Sequence, residues 1–160
     1  MTVGAITRRI YVASSWRNYE YPRVVEALRE AGHELYDFRN PPRGTGFSWK
    51  QLDGVGQNCS ISDYLRALRH PIAQEGFASD KAALDWCEAL VLVMPCGRSA
   101  HLEAGYAAGQ GKPVIVLLRE EKFEPELMYL LLKGAATSVA GLLEILQVAD
   151  LASIAVWHEQ

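Results

Sequence analysis

The sequence of 160 residues predicts one α/β domain, residues 1–160, built on a parallel sheet with helices on both faces. Short β-rich segments alternate with helical ones, which is the order that right-handed crossovers between parallel strands produce. Two segments, residues 89–94 and 114–118, are apolar without interruption, as is typical of central strands covered on both faces. Five strands in a chain of this length fit a doubly wound, flavodoxin-like domain better than a barrel.

Apolar spacing and turn residues give each element its place along the chain. Val24, Val25 and Leu28 recur at helical spacing and Gly32 ends that helix, whereas residues 33–38 alternate as a strand does. Residues 39–58 hold two prolines and four glycines, and we expect a functional or mobile loop. The predicted strands are residues 10–12, 33–38, 89–94, 114–118 and 137–139. The predicted helices are residues 21–31, 71–88, 99–110, 124–132 and from about 141 onward.

Composition and charge exclude several classes of protein. The net charge is −3 and the basic residues are scattered, which argues against binding to a nucleic acid polymer. The three cysteines, Cys59, Cys87 and Cys96, include no pair with CxxC spacing, so neither a disulfide framework nor a metal site is indicated. The longest apolar runs are six residues, and no signal peptide is recognisable, so we expect a cytoplasmic protein without a membrane partner.

Glu103 follows the third strand, at the edge where doubly wound sheets bind ligands. The pattern places it in about the first turn of the next helix. The helix dipole would keep a carboxylate there ionised, as a nucleophile or a base must be. The alternative is that Glu103 only caps its helix.

A second carboxylate, Asp80, stands in the apolar face of the preceding helix. Phe77, Asp80, Leu84 and Cys87 are spaced so that they share one face. Burial would raise the pKa of Asp80 and suit this side chain to donate a proton. The alternative is a buried acid whose oxygens accept hydrogen bonds from backbone N–H groups.

Further candidates for ligand binding lie in two loops. Ser14 and Ser15 end the first strand beside Trp16 and offer hydroxyl groups to a ligand. Phe47 and Trp49 lie in the long loop, where they could stack on a planar base or anchor the loop to the core.

Two other motifs carry little weight. Cys96 and His101 could form a nucleophile–base pair, but five residues across a turn fix no geometry. The Gly54-Val55-Gly56 segment lacks the third glycine of a dinucleotide-binding fingerprint and does not follow a strand.

Three segments together resemble the nucleoside 2-deoxyribosyltransferase family, which includes 2′-deoxynucleoside 5′-phosphate N-hydrolases and CMP-type N-glycosidases. They are the first strand with Tyr11, Asp80 ahead of the third strand, and the run Glu103-Ala104-Gly105-Tyr106-Ala107 after it. The resemblance covers roughly residues 9–118. It implies a flavodoxin-like fold, a small nucleoside or nucleotide as substrate, homo-oligomers, and no metal or organic cofactor.

By position, the resemblance implies a role for each of three side chains. Glu103 would attack C1′ of the sugar through an oxocarbenium-like transition state and form a glycosyl-enzyme, as in retaining glycosidases. Asp80 would protonate the departing base, and Tyr11 would hold the glutamate. Water as the acceptor would give hydrolysis, and a second base would give transfer.

The chain departs from the family's transferases just before Glu103. Those proteins carry another aspartate there, whereas this chain has Gly97, Arg98, Ser99, Ala100 and His101. Arg98, Ser99 and the backbone N–H groups at the start of the helix could hold an anion, which predicts a 5′-phosphorylated substrate and hydrolysis. The alternative is that Arg98 is a solvent-exposed cation.

Two other functions stay open at this point. Toll-receptor-like (TIR) domains share a related fold and a catalytic glutamate, so cleavage of NAD is a second hypothesis. The altered loop before Glu103 motivates a third, a nucleotide-binding or sensing module that does no chemistry.

Overall fold

The computed structural model describes residues 4–56, 58–119 and 124–157. Their strands form one parallel sheet in the order β2-β1-β3-β4-β5-β6. The strands are β1 (Arg9–Ala13), β2 (Glu34–Asp37), β3 (Ala89–Val93), β4 (Val114–Leu117), β5 (Gly134–Ala136) and β6 (Val156–Trp157). The first five follow the 2-1-3-4-5 order of flavodoxin-like domains.

Helices cover both faces of this sheet, so the predicted α/β architecture is confirmed. The helices are α1 (Tyr21–Glu30), α2 (Ile61–Ala67), α3 (Pro71–Trp86), α4 (Arg98–Gly109) and α5 (Val139–Leu146). Helices α1 and α5 pack on one face, and α3 and α4 pack on the other. Among the residues that the structure describes, no helix has the length and apolarity needed to cross a membrane.

The prediction of five strands is wrong, because the sheet has six. The additional strand, β6, is two residues long and pairs with Gly134 and Ala135 of β5. A strand this short has too few residues for an alternating pattern. A Cβ atom at position 134 would lie 2.1 Å from the carbonyl oxygen of Val156, so β6 can approach only a glycine there.

Two elements in the second half of the chain also differ from prediction. Strand β5 begins at Gly134 rather than at residue 137, since its Gly-Ala-Ala sequence lacks the β-branched residues that usually mark strands. Ser138 caps α5, its hydroxyl accepting a hydrogen bond from the Gly141 N–H at 3.0 Å. The helix predicted over residues 124–132 is a short 3₁₀ turn, Leu127–Leu131.

The long loop after β2 carries structure of its own. It contains a 3₁₀ turn, Trp49–Gln51, and leads into α2, which was not predicted. Leu52 of this loop packs with Ala67 and Ala73 in a small core separate from the two layers of the sheet. The loop is thereby held against α2 and the start of α3.

Candidate active site

Four side chains from four elements meet between α3 and α4. Tyr11 of β1 and Tyr36 of β2 are register partners, and their rings stack with centroids 5.1 Å apart. Asp80 of α3 and Glu103 of α4 lie close enough to both tyrosines for their charges to raise the tyrosine pKa values. The structure therefore brings together Tyr11, Asp80 and Glu103, the three residues singled out from the sequence as catalytic candidates.

Asp80 is a partly buried carboxyl that accepts a hydrogen bond from a tyrosine. Burial raises its pKa, and the hydrogen bond from the Tyr36 hydroxyl to Oδ1, 2.8 Å long, opposes that rise. The predicted apolar face holds only in the second half of α3, because Leu84 and Cys87 are buried whereas Phe77 is 65% exposed. Asp80 thus lies at the boundary between the core and solvent.

Glu103 is the sixth residue of α4, not a member of its first turn as predicted. The N-cap is Gly97, so Glu103 does not cap this helix and lies beyond the reach of the dipole at its first turn. Burial, and after it the neighbouring Asp80 charge, raise the pKa of Glu103 to about 7, while an interaction with the Tyr11 hydroxyl opposes both. The expectation that the dipole keeps this carboxylate ionised is therefore wrong.

Tyr11 carries a buried hydroxyl that has no hydrogen-bond partner among the described residues. It lies beside the Glu103 carboxyl, close enough to lower the pKa of that carboxyl but without the geometry of a full hydrogen bond, and burial is the main cause that raises the pKa of the tyrosine itself. An unpaired buried hydroxyl costs about 1–3 kcal/mol, so native structures rarely keep one without a reason. This hydroxyl is available to donate to the Glu103 carboxylate or to a ligand.

Two cavities lie beside this cluster of two tyrosines and two carboxyls. The smaller, about 240 Å³, lies between the long loop and α3, and its lining includes Tyr36, Phe47 and Asp80. The larger, about 800 Å³, lies on the other side of α4, and its lining includes Cys96 and Leu132. Glu103 lines neither cavity, so Asp80 is the member of this pair of carboxyls that a molecule in the smaller cavity would contact.

The two serines at the end of β1 are occupied by bonds within the protein. The Ser14 hydroxyl donates to the Val93 carbonyl at 2.9 Å, and the Ser15 hydroxyl accepts from the Arg17 N–H at 3.1 Å. These bonds tie the end of β1 to the end of β3 and shape the turn into α1. Contact between either serine and a ligand stays a prediction.

The predicted aromatic residues anchor the long loop. The Trp16 indole N–H donates to the Phe47 carbonyl at 3.1 Å, and Phe47 meets Trp49 edge to face at 5.0 Å. Trp49 also lies against Tyr64 of α2, whereas Phe47 lines the smaller cavity. A Cβ at Gly76 would lie 2.7 Å from that of Phe47, so the glycine lets Phe47 pack on α3.

The structure separates the residues just before Glu103 that were predicted to contact the substrate. Gly97, Arg98 and His101 line the larger cavity, whereas Ser99 is exposed and lines neither cavity. Because the N-cap of α4 is Gly97, no side chain at that position caps the first turn of this helix. Their role in binding a phosphate stays a prediction.

Cys96 and His101 do come together, but not as a nucleophile and its base. The Cys96 sulfur lies 3.6 Å from His101 Nδ1, which also lies 2.8 Å from the Gly97 carbonyl oxygen. A carbonyl only accepts, so Nδ1 carries a hydrogen and cannot take the thiol proton. Burial and the Glu103 charge raise the pKa of Cys96 to about 12.

Among the described residues, no group of three His, Cys, Asp or Glu side chains is placed so that it could hold a metal ion.

Sequence reasoning missed two polar residues that organise this end of the sheet. Tyr36 bridges Asp80 and Ser79, and its place in an alternating strand was the available signal. Asn18 is 2% exposed, and its amide donates to the Pro95 carbonyl at 3.2 Å while its oxygen accepts from the Glu20 N–H at 3.0 Å. A lone asparagine in a polar loop gives no signal of this role.

Comparison with solved structures shows where this fold occurs. No protein-family model matches the sequence, and no curated protein matches it significantly. The chain is similar to a 2-deoxyribosyltransferase from Bacillus psychrosaccharolyticus, with 18% identity and a TM-score of 0.58, over 86% of this chain and 90% of that one. At this identity the likeness shows a shared fold, which agrees with the fold implied by the sequence resemblance.

Two further similar structures have TM-scores below 0.5. One is the CMP N-glycosidase BcmB of Clostridium botulinum, with 17% identity and a TM-score of 0.48 over 88% of this chain and 99% of that one. The other is a conserved protein from Enterococcus faecalis V583, with 14% identity and a TM-score of 0.45 over 97% of this chain and 92% of that one.

Proposed function

We propose that this protein is an enzyme that cleaves the N-glycosidic bond of a nucleoside or a nucleoside 5′-monophosphate, with Glu103 as the nucleophile. The observation that carries the proposal is the pair of carboxyls, Asp80 and Glu103, which lie close enough for the Asp80 charge to raise the pKa of Glu103 and which both act on the buried Tyr11 hydroxyl. The fold shared with a 2-deoxyribosyltransferase supports the same chemistry.

The electrostatics of the pair suit it to hold a single proton. Each charge disfavours the other, and the pKa of Glu103 is about 7 when the Asp80 charge is beside it. Below that pH the pair holds at least one proton. At rest the raised pKa of Glu103 places this proton on Glu103. The productive arrangement has the proton on Asp80 and the charge on Glu103, and a hydrogen bond from Tyr11 to the Glu103 carboxylate favours it.

The first half of the reaction uses both members of the pair. A Glu103 oxygen forms a bond to C1′ as the bond from C1′ to the base nitrogen breaks. The electron pair of the broken bond stays on the base, which takes the proton from Asp80. The products of this step are the free base, a glycosyl ester on Glu103 and an ionised Asp80.

The second half regenerates the free enzyme. Water attacks C1′ while the Asp80 carboxylate takes its proton, and Glu103 leaves as a carboxylate. A second base in place of water gives transfer of the sugar. Either route returns the proton to Asp80.

The smaller cavity is the proposed site for the base. Its volume of about 240 Å³ is below the range of cavities that enclose a drug-sized ligand, so it suits a base rather than a whole nucleotide. Phe47 and Asp80 both line it, and an aromatic ring is suited to contact a planar base. The sugar would then extend from Asp80 toward Glu103.

A substrate panel tests the proposal directly. We expect the protein to release free base from at least one nucleoside or 5′-monophosphate, as detected by chromatography. Including NAD in the panel tests the second hypothesis, because release of nicotinamide alone would reject a nucleoside or mononucleotide substrate. Calorimetry that shows tight binding without turnover across the panel would reject an enzyme and favour a sensing module.

An alanine substitution at Arg98 tests whether the substrate carries a 5′-phosphate. A charge-assisted hydrogen bond contributes about 1.5–3 kcal/mol, so Arg98→Ala is expected to lower kcat/KM for a 5′-monophosphate by roughly 10–100-fold. Hydrolysis of the matching nucleoside should be unchanged. Arg29→Ala, an exposed arginine of α1, is the control. Equal losses on both substrates, or none on either, would contradict a phosphate contact at Arg98.

A further inference from the structure

Tyr36 is a buried side chain with no part in the reaction proposed above. It is 5% exposed and its ring stacks on Tyr11. Its hydroxyl lies 2.8 Å from Asp80 Oδ1 and 2.8 Å from the Ser79 hydroxyl. It also lines the smaller cavity beside Asp80.

The number of hydrogens fixes the direction of both bonds. While Asp80 is ionised its oxygens only accept, so the single Tyr36 hydroxyl hydrogen then points at Asp80 Oδ1. Ser79 must then donate its own hydroxyl hydrogen to the Tyr36 oxygen. The result is an ordered chain of hydrogen bonds that runs from Ser79 through Tyr36 to Asp80.

This chain leaves the two oxygens of Asp80 in different situations. Oδ1 is occupied by the Tyr36 hydrogen, so a proton on the carboxyl must be carried by Oδ2 for the chain to persist. Without Tyr36 the two oxygens would compete for the proton. A proton donor works best when its hydrogen is already aimed at the accepting atom.

We propose that Tyr36 is a positioning residue that directs the Asp80 proton to Oδ2, the oxygen that gives and takes the proton at the departing base. The inference rests on the proposed function, in which Asp80 is that proton donor. Tyr36 itself does not touch the reacting atoms.

Several charged or titratable side chains surround Asp80 and could also affect its pKa. Glu103 faces it from α4, Tyr11 from β1 and Tyr36 from β2. Arg43 and Glu75 line the same cavity. Burial raises the pKa of Asp80, and the bond from Tyr36 lowers it, so loss of the hydroxyl should move that pKa upward.

A titration of Asp80 by NMR tests the proposal without relying on catalysis. The comparison is between Glu103→Gln and Glu103→Gln combined with Tyr36→Phe, because the first change removes the neighbouring charge. Asp80→Asn identifies the Asp80 carboxyl signal. Phenylalanine keeps the ring that stacks on Tyr11, and we expect the pKa of Asp80 to rise by about one unit.

The same substitution in the otherwise unchanged protein gives a second readout. We expect Tyr36→Phe to lower kcat by about tenfold, with KM unchanged, and to move the pH profile upward. Ser79→Ala should act in the same direction and more weakly. Tyr19→Phe, at a tyrosine that is 84% exposed, should change neither measurement.

An Asp80 titration that Tyr36→Phe leaves unchanged or shifts downward would overturn the proposal. An unchanged pH profile in an active Tyr36→Phe variant would overturn it as well. If the titration shifts upward but the wild-type protein cleaves no nucleoside or nucleotide, the orientation of Asp80 stands and only the proposed function fails.

Discussion

Replacing Glu103 with glutamine is expected to reduce release of base from every substrate of the wild-type protein by at least about a thousandfold. Glutamine has the same shape as glutamate, but its amide does not form a stable glycosyl ester. Residual binding to the cavity beside Asp80 should persist, because Glu103 does not line it. Chromatography of released base, with ligand binding followed by calorimetry, separates lost chemistry from lost binding.

Stability as a function of pH shows whether the Glu103→Gln variant is folded. The pKa of Glu103 rises from an ordinary value of 4.5 to about 7 on folding, so the folded state binds the proton more tightly than the unfolded state. The wild-type free energy of unfolding should therefore fall as the pH rises from about 4.5 to 7. Above pH 7 the variant should be the more stable protein, by at most about 3 kcal/mol.

Urea denaturation at pH 5 and pH 8 measures this difference. Glu30 is an exposed glutamate of α1, and Glu30→Gln serves as the control. It should leave the activity and the pH dependence of the free energy of unfolding unchanged. A Glu103→Gln variant that keeps normal turnover would remove Glu103 as the nucleophile. A variant that is less stable than wild type at pH 8 would contradict the burial of a charge at this position.

If Asp80 is the proton donor proposed above, replacing it with asparagine is expected to slow release of an ordinary base by roughly 10²–10⁴-fold, because the departing nitrogen no longer receives a proton. The asparagine side-chain oxygen can still accept the hydrogen bond from Tyr36, so the local structure should be preserved. The measurement is kcat on the best substrate from the panel.

A change of leaving group shows whether the loss at Asp80 is a loss of proton transfer. A purine nucleoside or nucleotide methylated at N7 carries a positive base that leaves without taking a proton. We expect Asp80→Asn to cleave it almost as well as the wild-type protein does. Asp85→Asn, an exposed carboxylate on the same helix, is the matched control. Equal losses on both substrates would show that Asp80 does not act as the acid.

The core of the fold could be predicted from the sequence because its central strands are apolar throughout. Strands β3 and β4 are fully buried, and such runs leave little choice of structure. Strand β5 escaped detection at its true position because Gly-Ala-Ala carries almost no strand propensity. Helix α2 was missed because four of its seven residues, Ser62, Asp63, Tyr64 and Arg66, are polar or amphipathic and only Ala67 is buried.

Only part of the candidate site could be predicted from the sequence. Asp80 interrupts an apolar helical pattern, and Glu103 follows a buried strand, so both could be singled out before their positions in space were known. The raised pKa of Glu103 depends on its depth in α4 and on the distance to Asp80, which spacing along the chain does not contain. Tyr36 joins the site through the pairing of β2 with β1, and periodicity alone does not specify that pairing.

Neighbouring residues of β2 serve opposite layers of the molecule. Tyr36 points toward α3, whereas Asp37 accepts a hydrogen bond from the Tyr21 hydroxyl of α1 at 2.9 Å. A slip of one residue between β2 and β1 would exchange these two side chains. A third carboxylate would then be forced against Asp80 and Glu103, and Tyr21 would lose its acceptor. Electrostatic repulsion at the proposed reaction centre thus penalises a mispaired sheet, so the same acidic pair helps to select the correct assembly of the chain.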